Sequence, residues 1–298
     1  LVQRGKGSVR LYPAPDRVVI GADSDKALEI MKNLYAPFVR NQNPIITMDT
    51  KSAEMVKYAS NSFLAVKISY INEIANICEK VGADINKVRI GMCADTRIGT
   101  KFLYPGLGYG GSCFPKDVKA LIKTANDNDC ECQLIKSADI INRKQRQLFI
   151  DKILKRFRND LNGKTFAVWG LAFKPKTNDM REAPAITIIN ALLEKGATVK
   201  AYDPKAYDCA MPIFGDRIEY GKSAYEILKG ADCLLLITEW NEFRNPDFDL
   251  IKSSLKNPVI FDGRNQYDEN NLNKLGFEYY QVGKATKTIN AGLASAFA

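Results

Sequence analysis

The amino-acid sequence predicts an α/β protein in which a long central helix and a helical middle domain precede a domain built on a parallel sheet. Residues 52–81 contain neither glycine nor proline and carry apolar residues at three- and four-residue spacing, which is typical of a long helix. Helical patterns at 115–127 and 131–157 follow it. Beyond residue 163 apolar strands alternate with helices, which indicates parallel strands joined by helical crossovers.

Residues 1–50 have the pattern of the end of another α/β unit. PDRVVIGAD at 15–23 predicts a strand, residues 24–38 predict a helix, and PIITMD at 44–49 predicts a second strand. Residues 1–14 show no clear periodicity.

The helix of residues 52–81 is the strongest helical pattern in the chain, and Gly82 provides a stop signal. At ~1.5 Å per residue it is ~45 Å long, so we expect a spine between domains or a subunit interface. We place a domain boundary in the charged stretch at 155–163. The middle domain then covers 51–160 and the sheet domain 161–298.

The sheet domain repeats strand and helix patterns with glycine or proline between them. Strands are predicted at 164–173, 197–204, 232–240 and 258–265, and helices at 183–196, 223–231 and 248–255.

The 298 residues suffice for two ordinary domains, and 46% hydrophobic with 26% charged residues indicates a folded globular protein. No apolar run approaches the ~20 residues that span a bilayer, and the start lacks a signal-peptide layout, so we expect a cytoplasmic protein. The net charge of +9 suits either nucleic acid or a small polyanionic ligand. Because the cations are scattered and form no basic stripe with aromatics, the small ligand is favoured.

The chain has no histidine, which excludes Ser-His-Asp and Cys-His arrangements and histidine-bearing zinc sites. Its seven cysteines are odd in number and form no C-x-x-C pair, so neither a disulfide framework nor a metal site is expected. Most should be buried, unreactive thiols.

The run GLGYGGSCFPKD contains the candidate catalytic residues of the chain. Gly106–Gly111 matches the dinucleotide fingerprint G-x-G-x-x-G, but Pro105 before it is unfit for a central strand, so a dinucleotide turn is disfavoured. Cys113 lies between this loop and a helix, and a helix N-terminus with Lys116 nearby favours the thiolate form. Asp117, about one turn later, can orient a water or accept a proton. From these residues alone, a nucleophile and a core cysteine beside a turn both remain open.

Four segments, namely residues 53–79, 95–122, 170–193 and FDGRN at 261–265, resemble the UDP-glucose/GDP-mannose dehydrogenase family in sequence and order. The resemblance implies a Rossmann-like UDP-binding domain at 161–298 and a homodimer built on the 52–81 helix. It also implies NAD-dependent oxidation of UDP-glucose to UDP-glucuronate in two steps, through a thiohemiacetal and then a thioester.

The same resemblance assigns roles residue by residue, and for each basic residue the alternative is an ordinary surface charge. The implied catalytic residues are Cys113, Lys57 and Asn61 at the reacting oxygen, and Asp117 for the hydrolytic water. The implied substrate site comprises Lys57, Phe102, Leu103, Tyr104, Pro105, Gly106, Gly110, Lys174, Arg264 and, toward the ligand of a neighbouring subunit, Arg97. The implied NAD contacts are Lys116 and Arg181.

Two other functions stay open. GDP-mannose dehydrogenases have a similar SC-x-PKD segment, and N-acetyl-hexosamine relatives usually carry histidine where this chain has Ser112. Phe114 and the run FKPKTNDMREAP favour UDP-glucose. A non-catalytic nucleotide-sugar module would keep the glycine-rich loop and Arg264 without needing Cys113. Whether Lys57 or Asp117 is the base of the first oxidation also stays open.

The chain departs from the family at its start. It has no domain with a strand–GxGYVG–helix turn, and a Glu–Gly pair usual before the PDR segment is replaced by QRGKGS. We therefore expect residues 1–50 to be the remnant of an N-terminal NAD-binding domain, in a fragment or split gene product. Such a chain should bind the UDP moiety without turning over.

Overall fold

The computed structural model describes residues 17–39 and 44–285, and it divides into two compact units, residues 1–63 and 64–298. The predictions for residues 1–16, including the QRGKGS stretch, lie outside the described residues. Within the described ranges no helix is both long enough and apolar enough to cross a membrane. Those ranges also hold no group of three or more metal-ligating side chains that could bind an ion.

The first unit contains the predicted strand–helix–strand pattern. The two strands pair in parallel with Val18 opposite Ile45. The Ser24 hydroxyl oxygen accepts a hydrogen bond from the Ala27 N–H at 3.4 Å and so caps the helix between them. The elements are β1 (Val18–Gly21), α1 (Asp25–Tyr35), β2 (Ile45–Met48) and the start of α2 (Thr50–Val81).

The second unit begins with helices. Besides the rest of α2 these are α3 (Ile85–Cys93), α4 (Phe114–Asn126) and α5 (Gln133–Arg156). The predicted helices at 115–127 and 131–157 are confirmed, whereas α3 was not predicted, since it is short and contains Gly91. The Asp84 carboxylate caps α3, and Ile85 packs with Ile71 and Cys78 of α2 in one apolar cluster.

A six-stranded parallel sheet in the order β5-β4-β3-β6-β7-β8 forms the rest of this unit, which confirms the Rossmann-like prediction. The order reverses between β3 and β6, and open α/β sheets bind ligands at the carboxyl ends of their strands at such a point. The strands are β3 (Thr165–Trp169), β4 (Thr198–Tyr202), β5 (Glu219–Tyr220), β6 (Cys233–Leu236), β7 (Val259–Asp262) and β8 (Glu278–Gln281). The helices are α6 (Pro184–Glu194), α7 (Tyr207–Phe214), α8 (Phe248–Ser254) and α9 (Glu269–Lys274).

Alternating side chains of the buried strands supply two separate cores, one on each face of the sheet. Phe166 and Val168 pack with α5 and α6, while Ala167 and Trp169 pack with α8 and α9. Burial on both faces explains why the strand patterns are continuous apolar runs.

The prediction of a helix at 223–231 is wrong. The structure has only a 3-10 turn at Glu226–Leu228, because the Ser223 hydroxyl oxygen accepts from the Glu226 N–H and Gly230, with φ +71°, turns the chain toward β6.

Candidate active site

The glycine loop, residues 105–113, packs against two other segments of the second unit. As the sequence predicts, no strand precedes it. A Cβ at Gly108 would collide with the Asn142 side chain of α5. A Cβ at Gly111 would come within 2.6 Å of the Phe173 ring. These glycines therefore allow close approach between parts of the protein itself.

Cys113 is the N-cap residue of α4 and is exposed. Its carbonyl oxygen accepts the first helical hydrogen bond, from the Asp117 N–H at 2.9 Å, and its Sγ lies 3.6 Å from the Ser112 hydroxyl oxygen. Cys78 and Cys233, by contrast, are buried. The alternative of a core thiol is therefore excluded for Cys113.

Asp117 lies in the first turn of α4 and is fully buried. Its carboxylate accepts a hydrogen bond at 2.8 Å from the Lys116 amino group, whose side chain is mostly exposed. The buried carboxylate therefore sits one turn beyond the Cys113 thiol, with a cation attached to it.

Arg181 lies against the glycine loop, since its carbonyl oxygen accepts a hydrogen bond from the Gly111 N–H at 2.7 Å. Asp179 accepts hydrogen bonds from the Arg181 N–H at 3.0 Å, from Nε at 2.9 Å and from Nη2 at 2.7 Å. The Asp179 hydrogen bond and charge raise the pKa of Arg181. The two-residue spacing of aspartate and arginine thus fixes the direction of a cation on the segment that packs against the glycine loop.

Arg264 follows β7 at the carboxyl edge of the sheet. Its Nε donates to the Ile237 carbonyl oxygen at 2.6 Å and lies 3.1 Å from the Glu239 carboxylate. A Cβ at Gly106 would lie 3.6 Å from its Nη1, so the glycine loop borders this guanidinium. The exposed Lys174 lies next in the chain to Phe173, which borders the same loop.

Residues 102–105 alternate between exposed and buried. Phe102, with φ +65°, and Tyr104 are exposed, whereas Leu103 and Pro105 are buried. The Arg89 guanidinium lies 3.8 Å from the Tyr104 ring centroid, and its Nε donates to the Leu103 carbonyl oxygen at 2.8 Å. Only the two aromatic side chains of this segment are accessible to a ligand.

Three further predicted residues come from α2 and from the turn after α3. The Arg97 side chain is 87% exposed and is held by the Asp95 carboxylate, its Nη2 at 2.6 Å. Lys57 and Asn61 lie four residues apart on α2 within the first unit. Their action on the same substrate as Cys113 stays a prediction.

Sequence reasoning missed the polar side chains that hold the glycine loop. Asn72 accepts from the Gly106 N–H at 2.8 Å, and Asn142 accepts from the Tyr109 N–H at 2.7 Å and donates to its carbonyl oxygen at 3.1 Å. Arg146, one turn after Asn142, donates to the same oxygen at 2.9 Å. The available signal was a polar pair at i,i+4 on the face of α5 that also carries buried residues.

A cavity of about 1040 Å³ lies at the opposite edge of the sheet. Asn257 and Gly276, just before β7 and β8, are part of its lining, and it contains none of the predicted site residues. Ligands of such sheets bind at the carboxyl edge, where Arg264 and the glycine loop meet.

The fold and these side chains define a nucleotide-binding type of α/β protein with an accessible thiol among cations. Residues 51–144 match the central domain of the UDP-glucose/GDP-mannose dehydrogenase family, and residues 167–269 match its UDP binding domain. The chain belongs to this family.

Individual relatives, compared by sequence and by structure, support membership of this family. The chain is 44% identical over 278 residues to UDP-glucose 6-dehydrogenase of Pseudomonas aeruginosa, covering 92% of this chain and 61% of the relative. It is 43% identical to the enzyme of that name from Rhizobium meliloti, covering 94% and 64%. A UDP-glucose dehydrogenase structure from Pyrobaculum islandicum superposes with a TM-score of 0.81 at 32% identity, covering 91% of this chain and 59% of that one. The chain thus spans about three fifths of the length of these relatives.

Proposed function

We propose that this chain is the catalytic and UDP-binding part of an NAD-dependent dehydrogenase that oxidises the C6 hydroxyl of UDP-glucose to a carboxylate. The observation that carries the proposal is the exposed Cys113 at the start of α4, at the end of a glycine loop that packs against Arg181. Residues 1–50, 51–160 and 161–298 then serve as remnant of an NAD-binding domain, central domain and UDP-binding domain.

UDP-glucose binds between the carboxyl edge of the sheet and the glycine loop. Arg264 supplies a guanidinium for the diphosphate, and Lys174 adds a second cation. Gly106 and Gly110 offer backbone close to the ligand, while Phe102 and Tyr104 offer accessible rings. Leu103 and Pro105 contribute backbone groups only, since both side chains are buried.

The Cys113 thiolate acts as the nucleophile between the two oxidations. Its sulfur adds to the C6 carbon of the aldehyde, forming a C–S bond while the carbonyl oxygen gains a proton, which gives a thiohemiacetal. Loss of a hydride from that carbon and of the proton leaves a thioester. Water adds to the thioester carbonyl, the C–S bond breaks, and the carboxylate leaves with the thiolate restored.

Three further residues serve the proton steps. Asp117 orients the hydrolytic water, and its position one turn after Cys113 suits that role. Lys57 and Asn61 stabilise the negative charge that develops on the C6 oxygen. Either Lys57 or Asp117 takes the first proton.

The residues beside Cys113 fit the anionic phosphates of NAD. Lys116 and Arg181 expose cationic groups, and Asp179 holds the second of them in one direction. When bound, NAD+ accepts the hydride from C6. No strand leads into a GxGxxG turn and a helix within residues 17–39 and 44–285, so we expect this polypeptide alone to bind UDP-glucose without forming NADH. Detection of NADH at 340 nm from the chain, UDP-glucose and NAD+ would contradict that expectation.

UDP-glucose is favoured over other nucleotide sugars by the sequence identity of the chain to its relatives. The UDP-glucose 6-dehydrogenases reach 43% and 44%, whereas a UDP-N-acetyl-mannosamine dehydrogenase structure from Pyrococcus horikoshii is 27% identical. We further propose a homodimer built on α2, in which Arg97 reaches the ligand of the partner subunit.

Alkylation of the cysteines tests the proposal. Iodoacetamide should label Cys113 selectively, and UDP-glucose should slow that labelling at least about tenfold, because the substrate covers the thiol. Cys130, which is also exposed, provides the internal reference, and peptide mass spectrometry follows both sites. The Cys113→Ser variant should still bind UDP-glucose in calorimetry.

Two results would point elsewhere. Equal labelling of Cys113 and Cys130, with UDP-glucose bound but not protective, would indicate a non-catalytic nucleotide-sugar module. Protection by GDP-mannose in place of UDP-glucose would indicate the other substrate.

A further inference from the structure

A single buried guanidinium connects the glycine loop to the segment that carries Arg181. Arg146 lies on α5 and is 8% exposed. Its Nη2 donates to the Tyr109 carbonyl oxygen at 2.9 Å and to the Glu182 carbonyl oxygen at 3.0 Å. Tyr109 belongs to the loop that ends at Cys113, and Glu182 directly follows Arg181.

Other contacts show that the two segments touch along their length. The Gly111 N–H donates to the Arg181 carbonyl oxygen at 2.7 Å. A Cβ at Gly110 would collide with the Glu182 carbonyl oxygen. The contact therefore leaves no room for a side chain, and Arg146 holds the two backbones at this separation.

Burying the charged guanidinium of Arg146 costs free energy unless its hydrogen bonds compensate for the lost contact with water. Burial lowers the pKa of Arg146, opposed by the attraction of Glu182. The Glu182 carboxylate itself pairs with Lys119 at 2.7 Å, so Arg146 binds the backbone oxygen instead. A buried cation held by two carbonyl oxygens from different segments fixes their geometry more than it adds stability.

We infer that Arg146 is a positioning residue, which fixes the position of the Cys113 thiol by joining the glycine loop that ends there to the backbone of residues 181 and 182. The inference rests on the proposed role of Cys113. Asn142, one turn earlier, holds the same peptide of Tyr109 from the side of α5 and leaves Arg146 as the link to Glu182.

The test measures the rate of Cys113 alkylation by iodoacetamide in the unliganded chain. Arg146→Ala should slow it about fivefold, because the glycine loop is no longer held against residues 181 and 182 and the reactivity of a cysteine depends on its place at a helix N-terminus. Arg146→Lys should keep at least half the rate, since one amino group can donate to both oxygens. Low millimolar guanidinium chloride should restore the rate of Arg146→Ala, whereas equimolar urea should not, and Cys130 should label equally throughout.

A second variant keeps the inference open to refutation if Arg146→Ala does not fold. Gly110→Ala pushes the same segments apart while Arg146 remains, so it should also slow alkylation. Gly91→Ala, on α3 with open space around it, is the matched control and should not.

Three outcomes would overturn the inference: a folded Arg146→Ala chain that alkylates within twofold of the unaltered chain, guanidinium that restores the melting temperature but not the rate, or Gly110→Ala reacting as fast as Gly91→Ala. Failure of UDP-glucose to protect Cys113 in the unaltered chain would instead count against the proposed function, because these comparisons need no nucleotide.

Discussion

Asp179 and Arg181 illustrate how two residues close in sequence set the direction of one charge. The aspartate accepts from both the backbone N–H and the side chain of the arginine, and Asp95 does the same for Arg97. The Arg181 guanidinium thereby has a fixed direction before any ligand arrives. Preorganisation of this kind reduces the entropy lost on binding a phosphate.

Replacement of Asp179 by asparagine should show this pairing in the pH dependence of stability. Hydrogen bonding to Arg181 lowers the pKa of Asp179 below its usual value of 3.8. The pair therefore stabilises the fold above pH 3.8, and the contribution is lost as the pH falls toward the lowered pKa. The free energies of unfolding of the native chain and Asp179→Asn should differ by about 0.5–1 kcal/mol at pH 7 and converge in acid.

Urea unfolding at several pH values measures this difference. Asp216→Asn, at an exposed carboxylate for which the described residues show no hydrogen bond, is the control and should change little at any pH. A difference for Asp179→Asn that stays constant from pH 7 into acid would contradict the assignment.

The residues of the site differ in how far sequence can reveal them. Cys113 lies in a local motif, so its place at the start of a helix could be predicted. Arg146 is separated by more than thirty residues from both carbonyl oxygens that it binds, and a lone arginine on a helix gives no signal of burial. Long-range backbone contacts of this kind can be found only once the fold is known.

At the scale of elements, the end of β3 shows why a turn needs one particular residue. Gly170 has φ +94° and its N–H donates to the Tyr202 carbonyl oxygen at 2.8 Å. A Cβ there would come within 2.7 Å of the Thr238 backbone nitrogen. The turn thus combines a left-handed backbone with close packing against the segment that follows β6.

Gly170→Ala should destabilise the fold by at least about 2 kcal/mol, because backbone strain and overpacking add. Gly163→Ala separates these effects, since Gly163 also has a positive φ, +68°, but open space around it. We expect the larger loss for Gly170→Ala in chemical unfolding. Equal losses in the two variants would show that packing against Thr238 contributes nothing.

Long elements followed from the sequence, and so did the short α8, whereas α3, α7 and β5 did not. The pattern of 52–81 gave α2 to within two residues, because a helix of many turns averages over irregular positions. By contrast α7 contains Pro212 and β5 has two residues, so neither has a period to detect. The pattern at 223–231 likewise gave a helix where the structure has a 3-10 turn of three residues, which ends at Leu228.

At the scale of the whole molecule, the site depends on segments far apart in the chain. The glycine loop, residues 173–183 and Arg264 come from three connections, and α5 and the sheet bring them together. Family resemblance could place all three on one site, whereas periodicity alone gave only the strand ends. Their meeting at the carboxyl edge follows from the parallel order of the sheet.

A dimer built on α2 gives the last prediction. Tyr70 and Ile77, seven residues apart on one helix face, are 47% and 51% exposed, as expected of a seam that a partner covers. The unaltered chain should sediment as a dimer, and Ile77→Glu should sediment as a monomer, because a charge cannot be buried there unpaired. Leu250→Glu, at a comparably exposed leucine on α8, is the control and should remain dimeric.

If Arg97 reaches the partner's ligand, the monomeric variant should also bind UDP-glucose more weakly, about as weakly as Arg97→Ala. A monomeric unaltered chain, or a dimer that tolerates Ile77→Glu, would contradict this assembly.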